Sequence, residues 1–158
     1  MPTISRRLVA LAVATRLVGI TNATGYYGKV SALTGLPGVT GTPDNPPPKS
    51  ESDARVRPYF VLFPGAGTPG PEVDLGDSLL DLDLPFQVTV AGGDTNDVLA
   101  LADRIHDRLH RWAPVVDGHQ CGPLRVPPGY SPGVILTDRD FTPHRLYTPL
   151  QYQLTAHT

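Results

Sequence analysis

Residues 84–114 read LPFQVTVAGGDTNDVLALADRIHDRLHRWAP, and this stretch decides the fold. Its first part, 84–91, alternates between apolar and polar side chains. Phe86, Val88 and Val90 fall on one face of an extended chain, and Gln87 and Thr89 fall on the other. This period is typical of a half-exposed β-strand.

The second part of the stretch predicts an amphipathic helix. Asp94 or Thr95 is placed to cap it, and Pro114 stops it after about Trp112. Acidic side chains lie in its first turn and basic side chains in its last, which complements the helix dipole. Its apolar stripe consists of Val98, Leu101, Ala102, Ile105, Leu109 and Trp112.

Upstream, residues 57–63 read RPYFVLF and predict a buried strand, because they are rich in aromatic and β-branched side chains. We expect this strand to pair with 84–91 as a long hairpin. The connecting loop, 64–83, contains Gly and Pro followed by a purely acidic stretch. The acidic residues are Glu72, Asp74, Asp77, Asp81 and Asp83.

Downstream, residues 124–126 and 134–137 are short strand candidates, and residues 145–157 predict a longer final strand. Its apolar face carries Leu146, Thr148, Leu150, Tyr152, Leu154 and Ala156. Pro149 cannot donate to a ladder, so we expect it at a bulge or an edge.

The N-terminal residues predict a second helix, capped by Thr3 or Ser5. An export signal is the less fitting interpretation, because Arg16 interrupts the apolar segment. The expected apolar face of this helix carries Ile4, Leu8, Leu11, Thr15 and Val18.

Residues 19–55 lose periodicity and are rich in Gly and Pro, which predicts an extended loop or arm. We expect this arm to contact other subunits. The arm residues singled out for such contacts are Tyr26, Tyr27, Pro46, Pro47 and Pro48.

Composition limits the fold further. The 158 residues, 40% of them hydrophobic, suit a single domain spanning 1–158. The chain contains 16 glycines and 18 prolines, and this high content argues against an all-helical bundle. The single Cys121 excludes an internal disulfide, and no apolar run is long enough for a membrane span. The expected fold is α+β: an antiparallel or mixed sheet with two helices on one face and a long Pro/Gly-rich arm.

No catalytic signature is visible in the sequence. Residues 65–70 match G-x-G-x-x-G, but no helix start follows them, so a hairpin loop is the better interpretation than a cofactor site. A loop cysteine is likewise the better interpretation of Cys121, although His119 is near it in sequence. We therefore expect a protein that is not an enzyme and uses no cofactor.

The helix predicted from 95 onward carries two imidazoles four residues apart. Together with Asp103 they could touch one cation, but two imidazoles alone are a weak metal signal. We expect this flank to contact another subunit instead of a metal. It is formed by Leu99, Asp103, His106 and His110.

The acidic stretch has two interpretations. It can be a solvated loop, or it can line a channel through which DNA passes without sticking, since phosphate and carboxylate repel each other. Residues 1–33 have the opposite balance, with Arg6, Arg7, Arg16 and Lys29 and no acidic residue. The net charge of −2 argues against coating of nucleic acid by bulk positive charge.

Taken in order, these segments resemble the tail terminator proteins of long-tailed (siphovirus-type) bacteriophages, especially those of actinobacterial phages. The resemblance rests on the N-terminal helix, the strand PYFVLFPG at 58–65, the strand LPFQVTVAGG at 84–93, the helix DVLALADRI at 97–105 with its WAP end, and the final strand containing QYQLT at 151–155. It excludes the Pro-rich arm.

The resemblance implies a structural virion protein at the tail–neck junction, assembled in the host cytoplasm. Such proteins form a ring that caps the tail tube, ends its polymerisation and joins the tail to the neck proteins of the head, and for this chain the resemblance implies a hexamer. DNA passes through the lumen. One alternative is another neck or head-completion protein; a more remote alternative is a small metal- or ligand-binding enzyme domain built around His106, His110 and Cys121.

Overall fold

The computed structural model describes residues 4–28, 47–70 and 81–158, which form an α+β fold. A mixed sheet has the strand order β1-β2-β4-β7-β5, with β3 also pairing with β4 and β6 with β7. The elements are α1 (Arg6–Arg16), β1 (Thr24–Tyr27), β2 (Tyr59–Pro64), β3 (Thr68–Pro69), β4 (Asp81–Gly92), α2 (Thr95–Leu109), β5 (Gln120–Cys121), β6 (Leu136–Asp138) and β7 (Arg145–His157).

Strand β4 is the centre of the sheet. It pairs antiparallel with β2, from Tyr59 opposite Ala91 onward, which confirms the predicted hairpin. It also pairs antiparallel with β7 along its whole length, from Asp81 opposite His157 to Gly92 opposite Leu146. The predicted bounds of the final strand are therefore confirmed.

One face of the sheet forms the main core with both helices, as the sequence predicts. On the sheet side, this core consists of the buried side chains of alternate residues of β4, together with buried side chains of β2 and β7. The predicted stripe of α2 is confirmed at Val98, Leu101, Ile105 and Leu109, which are fully buried. Asp94 caps this helix by accepting a hydrogen bond from the amide of Asn96.

The first helix is correctly located, and Ile4 is buried as predicted, but the rest of its predicted apolar face is wrong. Ser5 is the N-cap and accepts from the amide of Leu8 at 3.3 Å. The buried side chains of the helix are Val9, Ala10, Val13 and Ala14. Leu8 is 39% exposed and Thr15 is exposed, because a face of small residues packs against the core in their place.

The prediction of an irregular arm over 19–55 is wrong for 24–27. These residues form β1, which pairs parallel with β2, and Tyr26 is buried within the subunit. Pro47 is buried and Pro48 is exposed, whereas Pro46 lies outside the described residues. The structure therefore places Tyr26 in the sheet and not on an arm.

Strand β7 tolerates Pro149 because the ladder is one-sided there. Gln153 exchanges both main-chain hydrogen bonds with Arg125 on the side of β7 away from β4. Residues separated by an even number of positions along a strand direct their main-chain nitrogens to the same side. Pro149 lies four positions before Gln153, so its nitrogen also faces away from β4. The Arg125 bridge and β6, which pairs with 145–147, flank this position, and its carbonyl accepts from the Tyr130 hydroxyl. The expected edge position is thus confirmed locally.

The two short strands predicted at 124–126 and 134–137 are confirmed in part. Arg125 makes an isolated bridge, and β6 begins at Leu136 instead of Val134. No helix in the described ranges is long and apolar enough to cross a membrane.

Candidate functional site

The most distinctive surface is the sheet face opposite the helices, which we call the open face. It carries the odd-numbered side chains of β4 from 85 to 89 and of β7 from 149 to 155, and none of these is charged. Farther along the same face, Ala91 and Tyr147 belong to a second apolar cluster that is covered within the subunit. Pro85 and Gln153 are exposed, and Gln87, Thr89 and Gln151 are half-buried. The neighbouring Phe63 of β2 is 39% exposed.

A shallow depression of about 280 Å³ lies on the open face. Phe63, Pro85 and Pro127 form its apolar walls, and Gln87 and Gln151, which are register partners, contribute amides. Gln87 donates to the Thr89 hydroxyl at 3.0 Å. Aromatic rings are enriched and charged side chains are depleted at the cores of protein–protein interfaces, and the lining of this depression matches both trends.

The predicted acidic stretch is only partly described. Glu72, Asp74 and Asp77 lie outside the described residues, whereas Asp81 and Asp83 lie at the start of β4, both exposed. Each has a partner on β7: Asp81 contacts Nδ1 of His157 at 2.5 Å, and Asp83 accepts from the Thr155 hydroxyl at 2.6 Å. These two carboxylates are therefore fixed at one end of the open face.

The other end of the open face is an aromatic corner. The Arg145 guanidinium lies 3.7 Å from the centre of the Phe141 ring and 5.7 Å from that of Tyr59, whose hydroxyl accepts from Arg145 at 3.3 Å. Tyr26 packs edge-on against Tyr59, with ring centres 5.9 Å apart. Burial, together with the nearby Tyr59 hydroxyl, raises the pKa of Tyr26 to about 12.

The two imidazoles of α2 stack on each other. The rings of His106 and His110 lie 4.6 Å apart at 17°, and Nδ1 of His106 is 3.0 Å from the Tyr152 hydroxyl. Nδ1 of His110 is buried and has no hydrogen-bond partner among the described residues. Within those residues no group of three or more His, Cys, Asp or Glu side chains is placed to hold a metal ion.

The pKa of His110 is lowered from its usual value, and the physical causes act in one direction. Removal of its ring from water is the largest cause, followed by the charge of His106 and of the nearby guanidiniums of Arg111 and Arg125.

The expected contact flank is exposed only in part. Leu99 is 49% exposed and Asp103 is exposed. The flank thus divides into an outward part, Leu99 and Asp103, and an inward histidine pair.

In the loop after α2, His119 makes hydrogen bonds to main-chain groups and does not act as a base for Cys121 in this arrangement. His119 accepts from the Ser5 amide through Nε2 at 2.7 Å, so its Nδ1, 2.9 Å from the Asp117 carbonyl, carries the proton. Burial raises the pKa of the Cys121 thiol, which disfavours the nucleophilic thiolate.

In the described part of the chain, the residues of the remote enzyme alternative belong to no group of three or more side chains placed to hold a metal ion. Cys121 pairs with Ala156, whereas His106 contacts the hydroxyl of Tyr152, which lies four residues before Ala156 on β7.

The glycine motif at 65–70 belongs to the hairpin, as expected. Strand β3 pairs with β4, and Gly67 has φ +81°. A Cβ at Gly67 would lie 2.7 Å from the Asp83 carbonyl oxygen, so glycine is required by the close approach of the two chains.

Sequence reasoning missed a cluster of arginines where the two helices end, which we call the arginine corner: Arg16, Arg104 and Arg108. The available signal was the four-residue spacing of Arg104 and Arg108 on α2. Their meeting with the end of α1 depends on tertiary packing, which no local pattern shows.

No protein-family model fits the chain, and no curated protein is significantly similar to it.

Proposed function

We propose that this protein is a structural subunit of a phage tail. In this proposal its copies form a hexameric ring that caps the tail tube, ends tube polymerisation and joins the tail to the neck proteins, with DNA passing through the lumen. The protein is then located at the tail–neck junction of the virion and is assembled in the host cytoplasm.

The observation that carries this proposal is the uncharged middle of the open face, from 85 to 89 on β4 and from 149 to 155 on β7. Solvated faces of antiparallel sheets normally carry charged side chains, which also prevent unwanted association. Here the central strands β4 and β7 instead present Pro, Thr and Gln beside the exposed ring of Phe63. Such a face suits burial against a neighbouring copy or ring.

The order of elements supports the same proposal. The helix α1, the strands β2 and β4, the helix α2 and the strand β7 follow one another as in the segments that carry the resemblance to tail terminators. The acidic end of the open face, with Asp81 and Asp83, suits a position beside passing DNA, because carboxylates repel its phosphates.

Another neck or head-completion protein remains the second candidate, since it would use the same kind of assembly surface. Phage particles made without this protein separate the two. Overlong tails that fail to join heads support a terminator, whereas tails of normal length without heads support a neck component.

The assembly itself is tested on the purified protein. We expect native mass spectrometry at increasing concentration to show closed multimers, and electron microscopy to show rings alone or on tail tubes. The variant Gln151→Lys places a charge on the half-buried open face and should abolish multimers without changing the melting temperature.

The matched control is Ser131→Lys, which adds the same charge on an exposed loop residue and should leave assembly intact. A wild-type protein that stays monomeric at high concentration and ignores tail tubes would contradict the proposed function. Multimers that persist in Gln151→Lys would remove the open face from the interface.

A further inference from the structure

The ends of the two helices are joined by reciprocal arginine contacts. Arg108 of α2 donates through Nη1 to the carbonyl oxygens of Arg16, at 3.1 Å, and of Val18, at 3.0 Å. Arg16 of α1 donates through Nε to the carbonyl oxygen of Arg108 at 3.0 Å. The two guanidiniums are therefore held next to each other by main-chain oxygens, despite their like charge.

A third guanidinium is held at the same place. Arg104, one turn before Arg108, donates through Nη1 to the Thr21 carbonyl, just beyond α1. Arg16 also lies over the Trp112 ring, 5.3 Å from its centre. All three side chains of the arginine corner are thus fixed in position before any ligand is present.

No carboxylate of the described ranges forms an ion pair with the arginine corner. The ion pairs in those ranges are Arg55 with Asp53 and His157 with Asp81, both elsewhere. Each guanidinium has five N–H donors, and the contacts above use only Nε of Arg16 and Nη1 of Arg104 and Arg108. Several charged donors are left for an acceptor from outside.

A depression provides room for that acceptor. It measures about 340 Å³ and is lined by Ile20, Thr21, Arg104, Asp107 and Arg108. Arg104 and Arg108 are half-buried, so a group that enters the depression meets donors partly removed from water, where charge-assisted hydrogen bonds are stronger.

The chemistry of the lining favours a carboxylate over nucleic acid. The planar guanidinium matches a carboxylate through two parallel hydrogen bonds. Asp107 stands in the same depression and repels additional negative charge, which disfavours a closely spaced row of phosphates more than a single carboxylate.

We propose that the arginine corner is a docking site for Asp or Glu side chains of an adjoining protein. The location of that protein in an adjoining ring of the particle rests on the proposed function. The recognition of carboxylates by Arg104 and Arg108 does not depend on it.

The test is a titration of the full-length protein with a capped Gly/Ser peptide that carries a single glutamate, at low salt, followed by the NMR signals of the arginine Nε–H groups. We expect the signals of Arg104 and Arg108 to shift on binding and the affinity to fall as salt rises. Arg104→Gln should weaken binding about tenfold. Arg104→Lys should weaken it less, because lysine keeps the charge but cannot form the two parallel hydrogen bonds of a guanidinium. Arg57→Gln, which removes an exposed arginine elsewhere, is the matched control and should have no effect.

A DNA duplex is titrated under the same conditions. If the duplex binds through Arg104 and Arg108 more tightly than the peptide, the assignment to carboxylates is wrong. If the wild-type signals do not move with either probe, the arginines only hold the helix ends together. In that outcome the protein can still form rings, so failure of the docking site is distinguishable from failure of the proposed function.

Discussion

His110 should make folding sensitive to mild acid. Its pKa in the folded protein lies below the usual value of 6.5, chiefly because its ring is removed from water. The unfolded chain therefore binds this proton more readily than the folded one. The contribution of His110 to stability is complete above pH 6.5 and is lost as the pH falls through 6.5 toward the lowered pKa.

We expect the free energy of unfolding of the wild type to fall more steeply between about pH 7 and about pH 5 than that of His110→Phe, which cannot titrate. Denaturant unfolding across this range measures the difference, and NMR titration of the ring reports the pKa directly. Parallel curves for the two proteins would show that His110 is hydrated in solution.

Ser5 and His119 together should control the start of α1. The Ser5 hydroxyl caps the amide of Leu8, and His119 accepts the Ser5 amide from 114 residues away in the chain. Ser5→Ala should lower the free energy of unfolding by about 1 kcal/mol. His119→Ala should cost a similar amount, roughly 1 kcal/mol, because the amide loses its acceptor.

Ser131→Ala, at an exposed loop residue, is the control for these two variants and should be neutral. The cap itself could be predicted from the sequence, because Ser is a preferred N-cap residue and the helix follows it directly. The role of His119 could not, since no local pattern connects residues so distant in the chain. Equal stability of His119→Ala and the wild type would mean that water replaces the imidazole.

The core face of α2 is tested by a pair of substitutions on that helix. Ile105 is fully buried and Leu99 is 49% exposed. Ile105→Ala should lower the free energy of unfolding by about 2–5 kcal/mol, through lost burial and the cavity left behind. Leu99→Ala should change it by about 0.5 kcal/mol or less. A soluble Ile105→Ala variant with unchanged melting would mean that the helix packs by another face.

The two helices differ in how far the sequence defines them. In α2, apolar residues recur at helical spacing between charged ones, so the pattern indicates one buried face. In α1, residues 8–14 read LVALAVA and are apolar all round, so several stripes are equally consistent with burial. Close packing of small residues, Ala10 and Ala14 among them, decided the face, and packing is a tertiary property.

Strand β1 illustrates a different limit. Its four residues, TGYY, contain a glycine and pair in parallel with a strand that starts 32 residues after β1 ends. A hairpin such as β2–β4 can be predicted from two runs of strand-forming residues joined by turn residues. A short parallel strand has no such local signal. The open face and the arginine corner also depend on pairing between distant segments, so only their separate residues could be read from the sequence.

For the assembled particle, the acidic end of the open face leads to the last prediction. If the stretch lines the lumen, its carboxylates keep DNA phosphates from adhering during passage. The quadruple variant Asp74→Asn, Asp77→Asn, Asp81→Asn and Asp83→Asn should then slow DNA ejection. Folding should remain intact, because an asparagine at 83 still offers an oxygen to the Thr155 hydroxyl.

The matched control changes four aspartates elsewhere to asparagine, so that the net charge is the same: Asp97, Asp117, Asp138 and Asp140. These residues are exposed or half-buried and lie outside the acidic stretch, so ejection should proceed as in the wild type. Ejection is followed by the fluorescence of a DNA-binding dye after receptor-triggered opening of purified particles. Because both variants lose the same charge, a slowing confined to the first assigns the effect to position in the lumen. Equal rates in both variants would place the acidic stretch away from the DNA and leave it as a solvated loop.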